Sequence, residues 1–162
     1  YGSGVELNAN NFCNLAVEAE MAIKVDADSN ILSVFPIIEL HNFVFRAPQK
    51  SLSELIANNG LNRGLVSSAK SWQEPLEFYE KKLELSLEIN GSEIDSGELW
   101  PMEGGPTSSL HWLKNHLADH DLKILPGNII LGGTALGLHK VQAGDRIDVK
   151  VGGEKAVNCF IK

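Results

Sequence analysis

Residues 15–25, Leu15-Ala16-Val17-Glu18-Ala19-Glu20-Met21-Ala22-Ile23-Lys24-Val25, restrict the fold more than any other stretch of the chain. Read with a two-residue period, Leu15, Val17, Ala19, Met21, Ile23 and Val25 form one wholly apolar face, the pattern of a half-buried β-strand. The opposite face carries Ala16, Glu18, Glu20, Ala22 and Lys24. Glu18 and Glu20 thus project from one side, about 7 Å apart at the backbone. The small alanines beside them leave room for something to approach. Like charges this close repel unless water or a cation screens them. A third carboxylate, Glu39, follows in another apolar strand, residues 35–40. Three oxygen donors on rigid strands suit a hard divalent ion such as Mg2+ or Mn2+. The plainer reading is that glutamates on the solvated face of an antiparallel strand are ordinary. Residues further along the chain decide between the two.

At 162 residues the chain has the length of one domain with a real core. Its 43% hydrophobic and 22% charged residues are those of a soluble globular protein. The net charge of −7 argues against a nucleic-acid partner and an anionic membrane surface. No apolar run approaches the ~20 residues that span a bilayer, and no signal peptide is visible. Cys13 and Cys159 lack CxxC spacing and read as reduced, packed thiols of a cytoplasmic protein, with a single disulfide as the alternative.

Strand signals dominate. Ser51 with Glu54 forms the capping box of a short helix over residues 51–57, ended by Asn58-Asn59-Gly60. A strand is expected over residues 63–69. Residues 83–89 alternate strictly into Asn90-Gly91, the preferred pair for a two-residue hairpin. On that strand Glu84 and Glu88 read as solvent-facing. Residues 97–107 form a loop rich in glycine and proline. Thr107 or Ser108 then caps a helix of about residues 107–120, with Leu110, Leu113 and Leu117 as its buried stripe. His116 and His120 have i,i+4 spacing, but without a third ligand they read as a polar helix end. Residues 129–131 read as a buried strand, after which Gly132 and Gly133 allow a close backbone approach. A turn at residues 143–146 precedes a strand over residues 147–151, and Gly152-Gly153 leads into a last strand over residues 156–161. Neither a GxGxxG fingerprint nor a phosphate loop nor a GxSxG elbow is present.

Together these residues resemble the fumarylacetoacetate hydrolase superfamily. Val17-Glu18-Ala19-Glu20 followed by Pro36-Ile37-Ile38-Glu39 is similar to its E-x-E…E metal pattern. The stretch from Ser109 to Leu117 resembles its tryptophan–leucine helix. Leu125-Pro126-Gly127-Asn128-Ile129-Ile130-Leu131-Gly132-Gly133-Thr134 resembles its "PGDIILTGT" strand and turn, and Val141 to Ile147 its "VKAGDRI" turn. Ile56-Ala57-Asn58-Asn59 resembles the "IADN" segment of the branch with 2-keto-4-pentenoate hydratase and 4-oxalocrotonate decarboxylase.

The resemblance implies an α+β, mainly β fold: a mixed β-sandwich roll with one or two short helices. It implies Mg2+ or Mn2+ held by Glu18, Glu20 and Glu39, and Gly133, Thr134 and Asn59 as substrate-binding residues. The substrate would be a small 2-oxo-4-enoate acid from aromatic-compound breakdown, hydrated or decarboxylated through an enolate that the ion stabilises. A homo-oligomer is expected by resemblance. Within the superfamily, an acylpyruvate or fumarylacetoacetate-type carbon–carbon hydrolase is the alternative. Outside it, the alternative is an inactive binding or scaffold domain. Family members extend further on the N-terminal side, where the hydratase branch has a catalytic lysine with an acidic partner. The chain, which opens on Tyr1, therefore reads as a single catalytic domain over residues 1–162, truncated on that side, with its catalytic residues unassigned. Residues 26–30 mark either a shortened hairpin or a place where sequence is absent. Asn58 stands where an aspartate is usual, and Gly60-Leu61 replaces a small polar pair; both bear on substrate preference.

Overall fold

The computed structural model of the chain describes residues 1–45, 51–79 and 83–162. In chain order the elements are β1 (Val5–Leu7), β2 (Leu15–Val25), β3 (Ile31–Asn42), α1 (Leu52–Ala57), β4 (Asn62–Ser67), β5 (Glu84–Ile89), β6 (Ser92–Glu98), α2 (Gly105–Ala118), β7 (Ile129–Leu131), β8 (His139–Lys140), β9 (Arg146–Val151) and β10 (Glu154–Ile161). Two sheets result. One has the order β1-β10-β9-β5-β6; the other has the order β4-β3-β2-β7, with β8 also paired to β2. β1 runs parallel to β10 and the other pairs are antiparallel, so the fold is the expected mixed, mainly β roll.

The apolar face of residues 15–25 forms the centre of one wall of the core. Val17, Ala19, Met21 and Ile23 from β2 meet Leu85, Leu87, Ile147, Val149, Val157 and Cys159 from the other sheet. Burying one such side chain stabilises the fold by about 1.5–3 kcal/mol, and the pleat turns every second residue of β2 inward. Leu110 is buried in the same core, with Leu113 and Leu117 packed against it, as the helical stripe requires. The β2–β3 hairpin is tight. Asp26 Oδ1 accepts from the backbone N–H groups of Asp28 and Asn30, so residues 26–30 close a short turn. That turn fixes a register in which Glu18 lies directly opposite Glu39. Among the described residues, no helix is long and apolar enough to cross a membrane.

Several expectations need correction. α2 begins at Gly105, two residues early and without a side-chain cap, because Pro106 presets the helical φ in its first turn. β7 is not buried: Ile129 is 45% exposed, since the strand pairs only with β2 along three residues at the sheet edge. Glu88 is half-buried in an ion pair with Lys150 rather than solvent-facing. Both cysteines are free, but Cys13 is exposed and only Cys159 is packed. Burial and the nearby Asp148 charge push the Cys159 thiol up to about 12. A disulfide-exchange reagent is therefore expected to modify Cys13 rapidly in the native protein and Cys159 only after denaturation. Two fast thiols in a stopped-flow titration would contradict the packing of β10.

Candidate metal centre

The second face of β2 and β3 is not the solvated surface of an ordinary sheet. Antiparallel register puts Ala16 opposite His41, Glu18 opposite Glu39, Glu20 opposite Ile37 and Ala22 opposite Phe35. Ala22, Phe35 and Ile37 form a second small apolar cluster with Leu65 and Leu131 packed against it. The carboxylates continue this covered face: Glu20 is 2% and Glu39 8% exposed. Buried acids demand partners, and each has them. Glu20 accepts from the backbone N–H of Gly133 and hydrogen-bonds Glu39. Glu39 accepts from Asn62 Nδ2 at 2.6 Å.

Sequence reasoning missed His41. Its Nε2 lies 3.2 Å from Glu18 Oε2 and 3.3 Å from Glu39 Oε2. Donor atoms of Glu18, Glu39 and His41 all fall within 4.8 Å of one another, the one such metal-holding group among the described residues. The signal was present as Glu39-Leu40-His41, which repeats on β3 the alternation of Glu18-Ala19-Glu20 on β2. His116 and His120 instead form a ring ladder on the exposed side of α2, where Trp112 stacks on His116.

The charges of the cluster are redistributed by its own geometry. Burial, followed by the hydrogen bond to Glu39 and the repulsion from it, pushes Glu20 up to about 8, against the opposing pull of the Gly133 N–H. Burial also works to raise Glu39, but the close approach of His41 and its contacts with Glu20 and Asn62 outweigh it and hold Glu39 below the usual carboxylate range. For His41 burial disfavours the charge, yet Glu18 and Glu39 overcome it and push the imidazole up to about 10. Without a metal, the cluster thus favours a proton on Glu20 and a positive charge on His41. A divalent ion bound by the three carboxylates must displace the Glu20 proton. Its apparent affinity is therefore expected to rise as pH increases toward about 8, with at least one proton released per ion at pH 7. Calorimetric titration of Mn2+ in buffers of different ionisation enthalpy reads that number directly. No buffer dependence would rule out a proton on the cluster.

Glu18, Glu39 and His41 offer donor atoms close enough to hold a divalent ion, and Glu20, of the expected three carboxylates, stands beside them rather than within that group. Glu39 also lines a cleft of about 340 Å³ with Asn59, Asn62, Leu65, Ile129 and Leu131. Asn59, Gly60 and Leu61 all have positive φ (53°, 62° and 69°), and this left-handed turn brings Asn59 and Asn62 to the same cleft. Gly133 stands at the cluster through its N–H to Glu20. Thr134 acts locally, its Oγ1 accepting from the Leu136 N–H at 3.0 Å.

No protein-family model matches the chain. The 2-hydroxyhexa-2,4-dienoate hydratase of Comamonas testosteroni is 23% identical over 164 residues, covering 94% of this chain and 62% of that protein. The 2-oxo-hept-4-ene-1,7-dioate hydratase of Escherichia coli is 26% identical over 133 residues, covering 78% of this chain and 49% of that protein. The chain thus spans about half to two-thirds of the length of the curated relatives it matches. Among solved structures, 4-oxalocrotonate decarboxylase from Pseudomonas putida G7, complexed with magnesium and adipate, superposes with a TM-score of 0.89 at 21% identity, covering 99% of this chain and 65% of that one. The chain has the fold of the fumarylacetoacetate hydrolase superfamily, and the relatives it matches are hydratases and a decarboxylase of the branch its sequence resembles.

Proposed function

We propose that residues 1–162 form the metal-binding catalytic domain of a lyase that hydrates or decarboxylates small 2-oxo-4-enoate acids, with Mg2+ or Mn2+ as the ion. The observation that carries this reading is the clustering of Glu18 and Glu39 on facing strands, with Glu20 on the same face, next to a small cleft that Glu39 lines with Leu65, Ile129 and Leu131. A bound divalent ion would supply Lewis-acid polarisation of a 2-oxo group. Glu18, Glu20 and Glu39 would hold it. The Gly133 N–H fixes one oxygen of Glu20, and Asn62 fixes one oxygen of Glu39, so neither carboxylate is free to rotate. The apolar wall suits the short hydrocarbon chain of such an acid. Asn59 at the cleft is the candidate donor to the substrate carboxylate. Thr134 accepts from Leu136 and keeps its own O–H to donate.

Titration with Mg2+ and Mn2+ by calorimetry, followed by turnover of a 2-hydroxydienoate and of an acylpyruvate, tests the proposal. Metal binding by residues 1–162 that Glu20→Ala abolishes, with turnover of the dienoate by the intact protein, is the expected result. Preferential cleavage of the acylpyruvate would assign the site to a carbon–carbon hydrolase. Metal binding without either turnover by the intact protein would assign it to a binding domain.

A further inference from the structure

The Nε2 atom of His41 presents an unmet requirement. The side chain is 10% exposed, and its ring nitrogen is fully buried with no hydrogen-bond partner among the described residues. The two carboxylate oxygens lie within ion-pairing distance, but the N–H direction is aligned with neither. Leaving a buried polar atom without a directed bond is costly, and such atoms in native proteins call for a partner. The register supplies the reason for the ring's position. Ala16 is the residue opposite His41, and its methyl group lets the imidazole lean over Glu18 toward the gap between the two acids.

The two nitrogen–oxygen spacings in that gap are ones that adjacent ligands of a bound ion could take. Neighbouring donors around an octahedral ion are separated by √2 times the metal–donor distance. The observed 3.2 Å and 3.3 Å correspond to bonds of about 2.3 Å. Magnesium bonds of about 2.0–2.1 Å would need the donors near 2.9 Å. Calcium has bonds long enough but takes oxygen ligands, and imidazole is a poor match for it. Manganese accepts both carboxylate oxygen and imidazole nitrogen.

We infer that His41 Nε2, its proton displaced by the ion, is a nitrogen ligand of the same metal centre, alongside Glu18 and Glu39, and that it biases the site toward Mn2+ over Mg2+. This rests on the metal-binding reading proposed above. It adds a ligand that the three-carboxylate pattern does not contain, and it makes His41 a determinant of metal choice.

Electron paramagnetic resonance of the full chain with Mn2+ separates the two readings. Loss of the free-ion signal on adding protein reports binding. Electron spin-echo modulation of the bound ion then reports whether a nitrogen is attached. The expected result is a 14N modulation that changes on labelling with 15N-histidine and disappears in His41→Gln, together with a fall of roughly tenfold or more in the Mn2+/Mg2+ affinity ratio. Bound Mn2+ without a nitrogen modulation overturns the inference and leaves the three-carboxylate centre standing. No binding at all overturns both. The wild-type spectrum decides the matter even if His41→Gln fails to fold.

Discussion

Replacing Glu39 with alanine is expected to unfold much of what holds the metal centre, whereas replacing it with glutamine is expected to spare the fold and remove the metal. Glu39 is the hub of the cluster: it accepts from Asn62, hydrogen-bonds Glu20 and faces His41. Alanine leaves the Asn62 amide and a buried imidazolium without their acceptor. Breaking a buried charge pair from one side costs about 3–5 kcal/mol, which lowers the melting temperature by on the order of 10 °C in a domain of this size. Glutamine keeps an oxygen for Asn62 and nearly the same volume, so its melting temperature should stay within a few degrees of wild type. It removes one of the negative ligands, however, and Mn2+ affinity should fall by at least about 100-fold, more than loss of an outer-shell partner causes. Thermal melts and metal titrations of the two variants check both halves. A glutamine variant that binds Mn2+ like wild type would remove Glu39 from the ligand set.

The strands that build this centre were legible because their signals are local. Strict alternation fixed β2 to its observed ends, Leu15–Val25. The Asn90-Gly91 pair makes its hairpin with both residues at positive φ, 56° and 80°. Ser51 and Glu54 form both halves of the capping box. The burial of the polar face was not legible, because its cover comes from far along the chain. Gly133 reaches Glu20 across 113 residues, and Asn62 reaches Glu39 across 23. Alternation says that two faces differ; it cannot say that both are covered. His41 was missed for a related reason. Its spacing from Glu39 places it on the acidic face, but only the β2–β3 register, with Ala16 opposite, turns the ring toward Glu18. Thr134 shows the opposite case, where a motif position has a local turn partner in Leu136.

Gly132→Ala is expected to act on fold and metal centre together. The sequence marked Gly132 as a place of close backbone approach, and the structure identifies what approaches. A Cβ there would lie 2.9 Å from the Met21 carbonyl oxygen and 2.9 Å from Cζ3 of Trp100. The carbonyl is backbone in the most buried strand and accepts the Gly132 N–H at 3.0 Å, so it cannot give way without losing that bond. Trp100, half-buried against the main core, would have to shift as well. The segment after β7 must therefore lift from β2. Overpacking together with a lost hydrogen bond costs about 2–4 kcal/mol. Lifting the segment also withdraws the Gly133 N–H from Glu20, which is the contact that opposes the proton on that carboxyl. Glu20 should then hold its proton more tightly, and a metal ion would have to displace it from a less acidic group. Mn2+ affinity is expected to fall in Gly132→Ala even at temperatures where the variant is fully folded. Gly2→Ala is the control: no atom lies within 4 Å of its added Cβ, and its stability should stay within about 0.5 kcal/mol of wild type. Urea unfolding and Mn2+ titration of both variants make the comparison. A Gly132→Ala variant that is destabilised but binds the ion normally would separate the close approach at Met21 from the orientation of Glu20.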